Sequence, residues 1–81
     1  MKIYDYHGKR NVCGVKVKEA RKRLKLSQEQ LAAKMQLEEV ILERDCISRI
    51  EIGTRFVADF ELLVLAKILK VSPAYLLGLD D

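Results

Sequence analysis

The stretch that decides the fold is residues 26–53, LSQEQLAAKMQLEEVILERDCISRIEIG. It contains no proline, and its only glycine is its last residue, so helix propensity alone favours one helix of about 25 residues. Its start carries a capping box, in which the Ser27 hydroxyl accepts from the backbone amide of Gln30 and the Gln30 side chain reaches back. A helix is therefore predicted to begin at Ser27.

The phase of the apolar residues rejects a single continuous helix. At about 100° per residue, Met35 falls about 40° from Leu31 and belongs to the same stripe. Glu38 also falls within about 20° of Leu31, whereas Val40 lies about 180° away. One long helix would bury an acid and expose a valine, so a break is predicted between about residues 36 and 43. The first helix is placed accordingly at residues 27–36.

The second piece, residues 43–52, has an apolar stripe of its own at Cys46, Ile47 and Ile50. A helix with this stripe buried presents four polar residues on its other side: Arg44, Asp45, Ser48 and Arg49. Gly53 follows at the position where a residue in the left-handed conformation commonly ends a helix. Two helices joined by an irregular connection are therefore predicted.

Three more helices are predicted around this pair. Residues 15–26 form an amphipathic helix whose apolar stripe includes Val17, Ala20 and Leu24. Residues 59–69 form a helix that is expected to be buried on much of its circumference, because its apolar residues include Phe60, Leu63, Val64, Ala66, Ile68 and Leu69. Ser72 and Pro73 open a short helix, residues 73–77, which Gly78 ends. The sequence therefore predicts an all-α domain of five helices.

Length and composition limit the class of protein. A chain of 81 residues with 49% hydrophobic and 33% charged residues is expected to form one small folded domain. No apolar run approaches the roughly 18 residues of a membrane span, and the N-terminus does not look like a signal peptide, so a cytoplasmic protein is expected. Cys13 and Cys46 are interpreted as reduced thiols. Together with His7 they are too few for a closed zinc site, and no metal or other cofactor is expected.

The charge is distributed unevenly along the chain. Residues 1–25 contain nine basic and two acidic residues, a net charge of +7, whereas residues 26–81 contain six basic and ten acidic residues, a net charge of −4. Such asymmetry favours an anionic partner that meets the N-terminal third, although a solvated basic helix face is the alternative interpretation.

Five segments in order resemble the phage-repressor-like (Xre-type) helix-turn-helix family: SQEQLAAKM, then ISRIE with a glycine two positions on, Arg55, ELLVLAKIL and VSPAYLLG. The resemblance covers about residues 14–78. It implies a five-helix repressor-like domain in which residues 27–36 form the supporting helix and residues 43–52 the recognition helix, which lies in the major groove of DNA. The opening YDYHGKRNVCG resembles small family members with a longer connection inside the motif.

The resemblance also implies roles for individual residues. The positions that face base edges in the family are occupied here by Arg44, Asp45, Ser48 and Arg49. The positions that contact phosphates are occupied by Gln28, Thr54 and Arg55. Arg21 and Glu51 stand where the family often has an ion pair between the first and third helices. For Arg44 and Arg49, a phosphate contact or a solvated side chain is the alternative to base reading.

This chain departs from the family pattern at three places. The connection QLEEVILERDC between LAAKM and ISRIE is longer than the common form and lacks the usual turn glycine. Glu43 stands where Ser or Thr usually caps the recognition helix. Ala58 stands where Thr commonly caps the fourth helix, which leaves Asp59 as the expected replacement.

The first 13 residues lack helical or alternating periodicity and are interpreted as an N-terminal arm, followed by the domain at 14–78 and a tail at 79–81. Two interpretations of the arm remain open. It reaches along DNA, as N-terminal arms can, or it packs Ile3, Tyr4 and Tyr6 onto the domain.

These features favour a sequence-specific, DNA-binding transcriptional regulator. It is expected to be a repressor that binds double-stranded DNA as a homodimer, with half-sites about one helical turn apart. The alternative is a protein-interaction or antitoxin-like module that keeps the fold, which the acidity of residues 38–51 favours, since five acids there face only two arginines. An enzyme finds no support, because there is no glycine-rich phosphate loop and neither cysteine has a histidine beside it in sequence. No small-molecule ligand or membrane partner is expected.

Overall fold

The structure is a computed structural model that describes residues 5–79. Five helices follow one another in this part of the chain: α1 (Gly14–Arg23), α2 (Gln28–Leu37), α3 (Arg44–Ile52), α4 (Asp59–Leu69) and α5 (Pro73–Leu76). The predicted all-α class and the number of helices are confirmed. Each of α2, α4 and α5 is bounded within one residue of its predicted ends.

The predicted start of α2 is confirmed in detail. The Gln30 amide donates to the Ser27 hydroxyl oxygen at 3.0 Å, and the Ser27 amide donates to the Gln30 side-chain oxygen at 2.8 Å. The predicted break after this helix is also confirmed, because α2 ends at Leu37 and α3 begins at Arg44. Glu43 is the N-cap residue of α3, but its side chain makes no capping hydrogen bond.

Three helices end at a residue in the left-handed conformation that is not glycine. Lys25, Glu39 and Lys70 have φ values of 60°, 65° and 62°. The amide after each donates back to the helix, as in the 3.1 Å bond from Val40 to the Met35 carbonyl, which forms a Schellman-type ending. The predicted extension of α1 to Leu26 is therefore wrong, because the turn at Lys25 ends that helix at Arg23.

The connection between α2 and α3 contributes to the core with alternate residues. Val40 and Leu42 are buried, whereas Leu37 and Ile41 are 83% and 69% exposed. The two buried side chains join a single core to which all five helices contribute, formed by residues that include Val17, Leu31, Met35, Ile47, Ile50, Leu65, Leu69 and Leu76. The longer connection is thus anchored by packing rather than by the usual glycine.

The fourth helix differs from its prediction in two respects. Phe60 and Leu63 are 57% and 62% exposed, so the expected burial on much of the circumference is wrong for the outer face. The expected cap at Asp59 is also wrong, since the helix begins at that residue. Ala58 precedes it, and the Ala58 amide donates to the Glu61 carboxylate at 3.0 Å. An alanine offers no acceptor of its own, so Glu61 reaching back takes over the capping role.

Candidate nucleic-acid interface

The outer face of α3 carries the four polar residues that the sequence singles out. Arg44, Asp45 and Arg49 are exposed, and Ser48 is half-buried. Arg49 and Asp45 form an ion pair one turn apart, with 2.9 Å between Nη2 and Oδ2. The structure therefore brings these residues together on one accessible surface, and it holds Arg49 partly in place by a neighbouring acid.

The inner face of α3 is fixed by apolar packing and by one polar network. Ile47 and Ile50 are fully buried in the core. Glu51 lies beside them and accepts from Arg21 through both carboxylate oxygens, with Nε to Oε2 at 2.6 Å and Nη2 to Oε1 at 3.0 Å. Both partners are buried, so this pair links α1 to α3 inside the domain.

The same network reaches the start of α2. The Gln28 side-chain amide donates to Glu51 Oε1 at 3.0 Å, and Arg21 Nη1 donates to the Leu26 carbonyl at 2.7 Å. Glu51 on α3 thus connects that helix to both α1 and α2. The structure turns the donor of Gln28 inward, so a phosphate at this position would meet the backbone amides of the first turn of α2.

Thr54 and Arg55 lie in the turn that leaves α3. Gly53 has a φ of 96°, and the Thr54 amide donates to the Arg49 carbonyl at 2.9 Å, which closes the predicted helix end. The guanidinium of Arg55 donates to both carboxylate oxygens of Glu61, at 2.9 and 3.2 Å. Arg55 is therefore held against the N-terminus of α4 rather than extended into solvent.

The ion pair between Arg55 and Glu61 changes the acidity of both groups. Burial acts to raise the pKa of Glu61, but the hydrogen bonds from Arg55 and from the Ala58 amide outweigh it, so the pKa lies below its ordinary value. The hydrogen bond to Glu61 raises the pKa of Arg55. Both groups stay charged at neutral pH, and their charges offset each other at the edge of the candidate interface.

The N-terminal segment contributes contacts that sequence reasoning missed. Tyr6 and Lys9 pair across a tight turn, and the Arg10 amide then donates to the Gly53 carbonyl at 2.8 Å. Lys9 Nζ donates to the Ile52 carbonyl at 3.1 Å. Of the residues expected to pack, Tyr6 is exposed, and Ile3 and Tyr4 lie outside the described residues. These contacts place the segment against the end of α3.

Asn11 makes the largest number of these contacts. Its side-chain nitrogen donates to the Ile50 carbonyl at 3.0 Å and to the Arg55 carbonyl at 2.8 Å, and its oxygen accepts from the Gly14 amide at 2.9 Å. A Cβ atom on Gly14 would overlap the Ile50 carbonyl oxygen, so this glycine permits the close approach of α1 to α3. Gly14 is the one residue in the sequence that could have indicated this close contact, but nothing in the sequence indicated that it packs against Ile50.

The basic residues of α1 divide between packing and solvent. Lys16 and Arg23 both lie over the Tyr75 ring, with the Lys16 Nζ 4.9 Å from the ring centroid, and Arg23 also donates to the Tyr75 hydroxyl at 3.0 Å. Lys18 and Lys22 are exposed and remain available to an anionic partner. Part of the positive charge in the N-terminal third therefore stabilises the contact between α1 and α5.

The acidic residues near the recognition segment are largely paired. Glu38 binds Lys67 of α4 with 2.8 Å between the charged atoms. Asp45 and Glu51 pair with Arg49 and Arg21 as described, so three of the five acids in residues 38–51 have a cationic partner. The acidity of residues 38–51 therefore counts less strongly against a DNA partner, because a paired acid repels phosphates less than an unpaired one.

The other features of residues 5–79 concern metal binding, membrane spans and free thiols. No group of three or more His, Cys, Asp or Glu side chains there is arranged to hold a metal ion. No helix in the same part of the chain is long and apolar enough to cross a membrane. Both cysteines are free, and burial raises the pKa of the Cys13 thiol to about 11.

The second and third helices, which pack against each other on a shared core and leave the polar face of α3 outward, define a helix-turn-helix domain. The P22 c2 repressor, solved in complex with synthetic operator 9T in the presence of Tl+, is similar to this chain with a TM-score of 0.73 and 30% identity, over 86% of this chain and 98% of that one. The restriction-modification controller protein C.AhdI from Aeromonas hydrophila is similar with a TM-score of 0.68 and 33% identity, over 78% and 88% of the two chains.

No family model and no curated protein matches the chain. The two structural similarities nevertheless assign the chain to a family, because each has at least 30% sequence identity and covers most of both chains. The chain belongs to the phage-repressor-like helix-turn-helix family, and the resemblance seen in the sequence is confirmed.

Proposed function

We propose that this protein is a sequence-specific DNA-binding regulator of transcription that acts as a repressor and places α3 in the major groove. The observation that carries the proposal is the two-sided construction of α3. Its outer face presents Arg44, Asp45, Ser48 and Arg49 together, while its inner face is fixed by the core and by the pair of Glu51 with Arg21. The likeness to a repressor solved on an operator supports the same mode of action.

The side chains of α3 match the chemistry of base edges. Arg44 and Arg49 each offer two parallel donors, which suit the O6 and N7 acceptors of guanine. Asp45 accepts hydrogen bonds and suits the N4 amino group of cytosine, and Ser48 can serve either kind of partner. Because Asp45 already binds Arg49, we infer that the acid also orients this arginine before DNA is met.

Phosphate contacts are proposed on both sides of α3. On one side lies the first turn of α2 at Gln28, and on the other lies the turn with Thr54 and Arg55. The exposed cations of α1, Lys18 and Lys22, add attraction that does not depend on sequence. Since Glu61 offsets the charge of Arg55, we expect Arg55 to contribute to the fit against the backbone more than to long-range attraction.

A homodimer is proposed because one copy reads little sequence. A helix of nine residues with four outward polar side chains covers only a few base pairs, which is short for a specific site. Two copies related by a twofold axis would read a near-palindromic operator with half-sites about 34 Å apart.

The experiment that tests this function begins with DNA of unknown sequence. Purified protein is first titrated into random genomic fragments at about 50 mM salt, and bound sites are then selected from a random library. We expect the protein to shift the mobility of the DNA, and this shift to weaken steeply as the salt concentration rises. We also expect the selected sites to share a consensus with twofold symmetry. If the unaltered protein shifts no DNA at low salt, the proposal is abandoned.

The alternative function is a protein-interaction or antitoxin-like module that keeps the fold. The exposed Leu37 and Ile41 at the connection favour it, because large apolar side chains exposed on a surface suit a protein partner. Absence of DNA binding together with the recovery of a tight protein complex would support this alternative. Family membership favours a regulator over an enzyme under either proposal, and the free thiols of Cys13 and Cys46 support a reducing, cytoplasmic setting.

A further inference from the structure

The contacts of the N-terminal segment converge on one place in the fold. Lys9, the Arg10 amide and Asn11 together donate to the carbonyls of Ile50, Ile52, Gly53 and Arg55. These carbonyls belong to the last turn of α3 and to the turn that follows it. The carbonyls at a helix end lack partners within the helix, so water or another part of the chain must satisfy them.

We propose that Asn11 is a positioning residue for DNA recognition, which fixes the last turn of α3 relative to the turn at Thr54 and Arg55. Both hydrogens of its side-chain amide are used, one on each side of Gly53. The base-reading face and the phosphate-binding turn are thereby held in one geometry by a side chain that need not touch DNA. This inference rests on the proposed function.

The surroundings of Asn11 hold it in this place. The Gly14 amide binds its oxygen and thus fixes which end of the side-chain amide faces the two carbonyls. Lys9 adds a positive charge at the C-terminal end of α3, where the helix dipole favours it. The stem of Lys9 lies against Gly53, since a Cβ there would come within 2.7 Å of the Lys9 Cδ atom. The arrangement leaves the turn little freedom to move independently of α3.

Precise placement is valuable at this position because base readout depends on it more than backbone attraction does. Bidentate hydrogen bonds to base edges require the arginine forks to meet fixed acceptors, whereas attraction between cations and phosphates falls off gradually with distance. Loosening the turn should therefore weaken binding to a selected site while binding to unrelated DNA stays nearly unchanged.

The test compares Asn11→Ala with Ser72→Ala. Ser72 caps α5 by accepting from the Tyr75 amide at 2.9 Å, and its hydrogen bonds lie within that helix, so its loss costs stability away from the turn after α3. Each variant is titrated against a duplex of the sequence selected by the unaltered protein and against a random duplex of the same length. The readout is the affinity for the selected duplex divided by the affinity for the random duplex, measured under conditions in which all proteins are fully folded.

We expect Asn11→Ala to lower this ratio by about tenfold, the order of magnitude of one bidentate base contact, and Ser72→Ala to leave it within about twofold. An unchanged ratio for Asn11→Ala, or an equal fall in both variants, would overturn the inference. If Asn11→Ala does not fold, Asn11→Asp decides instead. It keeps an oxygen that accepts from the Gly14 amide and removes the nitrogen that donates to the Ile50 and Arg55 carbonyls, and the added charge affects both duplexes alike. A lower ratio supports the positioning role and an unchanged one overturns it.

Failure of the inference and failure of the proposed function give different results. If the unaltered protein binds no DNA, the proposed function falls and no ratio can be measured. If it binds and selects a consensus but the ratio is insensitive to the N-terminal segment, the function stands and only the positioning role is lost.

Discussion

Replacing Glu39 by glycine should make the protein more stable. Glu39 ends α2 with a φ of 65°, and its side chain is exposed. The left-handed conformation costs a residue with a side chain about 1–2 kcal/mol, whereas glycine adopts it without this cost. Glycine also gives the unfolded chain more freedom, which offsets about 0.5–1 kcal/mol of the gain. The expected net effect is a stabilisation of about 0.5–1 kcal/mol.

The assay is unfolding in urea, with two matched substitutions as controls. A shift of about 0.5–1 M in the midpoint is expected, because small domains lose about 1 kcal/mol per molar urea. Ala33→Gly, in the middle of α2, should destabilise by about 1 kcal/mol, since the helical conformation there gives glycine no advantage. Glu39→Gln removes the charge without changing the backbone preference and should leave the midpoint nearly unchanged.

The two glycine substitutions must therefore act in opposite directions although they lie in one helix and its end. Destabilisation by Glu39→Gly of the same size as that by Ala33→Gly would refute the assigned turn. Lys25 and Lys70 end α1 and α4 in the same conformation, and glycine at either position should also stabilise the protein.

Other predictions concern the candidate interface and its supports. On a selected site, Arg49→Ala should cost about 1–3 kcal/mol and relax specificity, whereas Arg55→Ala should weaken all sequences alike; equal effects on specificity would contradict these roles. Glu51→Ala should destabilise the fold by about 3–5 kcal/mol, because it leaves Arg21 buried without its acid, and replacing both by apolar residues should recover much of the loss in urea unfolding. The lowered pKa of Glu61 means that its pair with Arg55 stabilises the protein fully above the ordinary pKa of 4.5 and loses its effect as the pH falls through the lower pKa of the folded state. Glu61→Gln should accordingly flatten the acid side of the stability profile, and an unchanged profile would show that the pair does not contribute.

The predictions were correct where residues close together in the sequence determine the start, the end or the buried face of a helix. The capping box at Ser27 and the phase conflict between Glu38 and Val40 located the start and the end of α2 without any tertiary information. The stripe of Ile47 and Ile50 likewise oriented α3. These features are readable because spacing along the chain alone decides which residues share a helix face.

The predictions failed where a distant residue decided the local structure. Lys25 ends α1 in a conformation that favours glycine, and the Leu26 carbonyl just beyond it accepts from the Arg21 side chain, which Glu51 of α3 holds in place. Phe60 on α4 is exposed because no other element in residues 5–79 covers that side, which the apolar content of the helix could not reveal. Asn11 donates across about 40 positions to Ile50 and Arg55, and no periodicity encodes contacts of that range.

The burial of Cys13 has a practical consequence for measurement. Its thiol lies in the core and has a pKa of about 11, so near pH 8 only about one molecule in a thousand carries the reactive thiolate, and even that sulfur is screened from reagents. Alkylation of Cys13 therefore requires the domain to open, and its rate counts opening events. Cys46 on α3 is only half-buried and reacts without full opening. The alkylation rate of Cys13 therefore reports global opening, and that of Cys46 reports local motion in the same molecule.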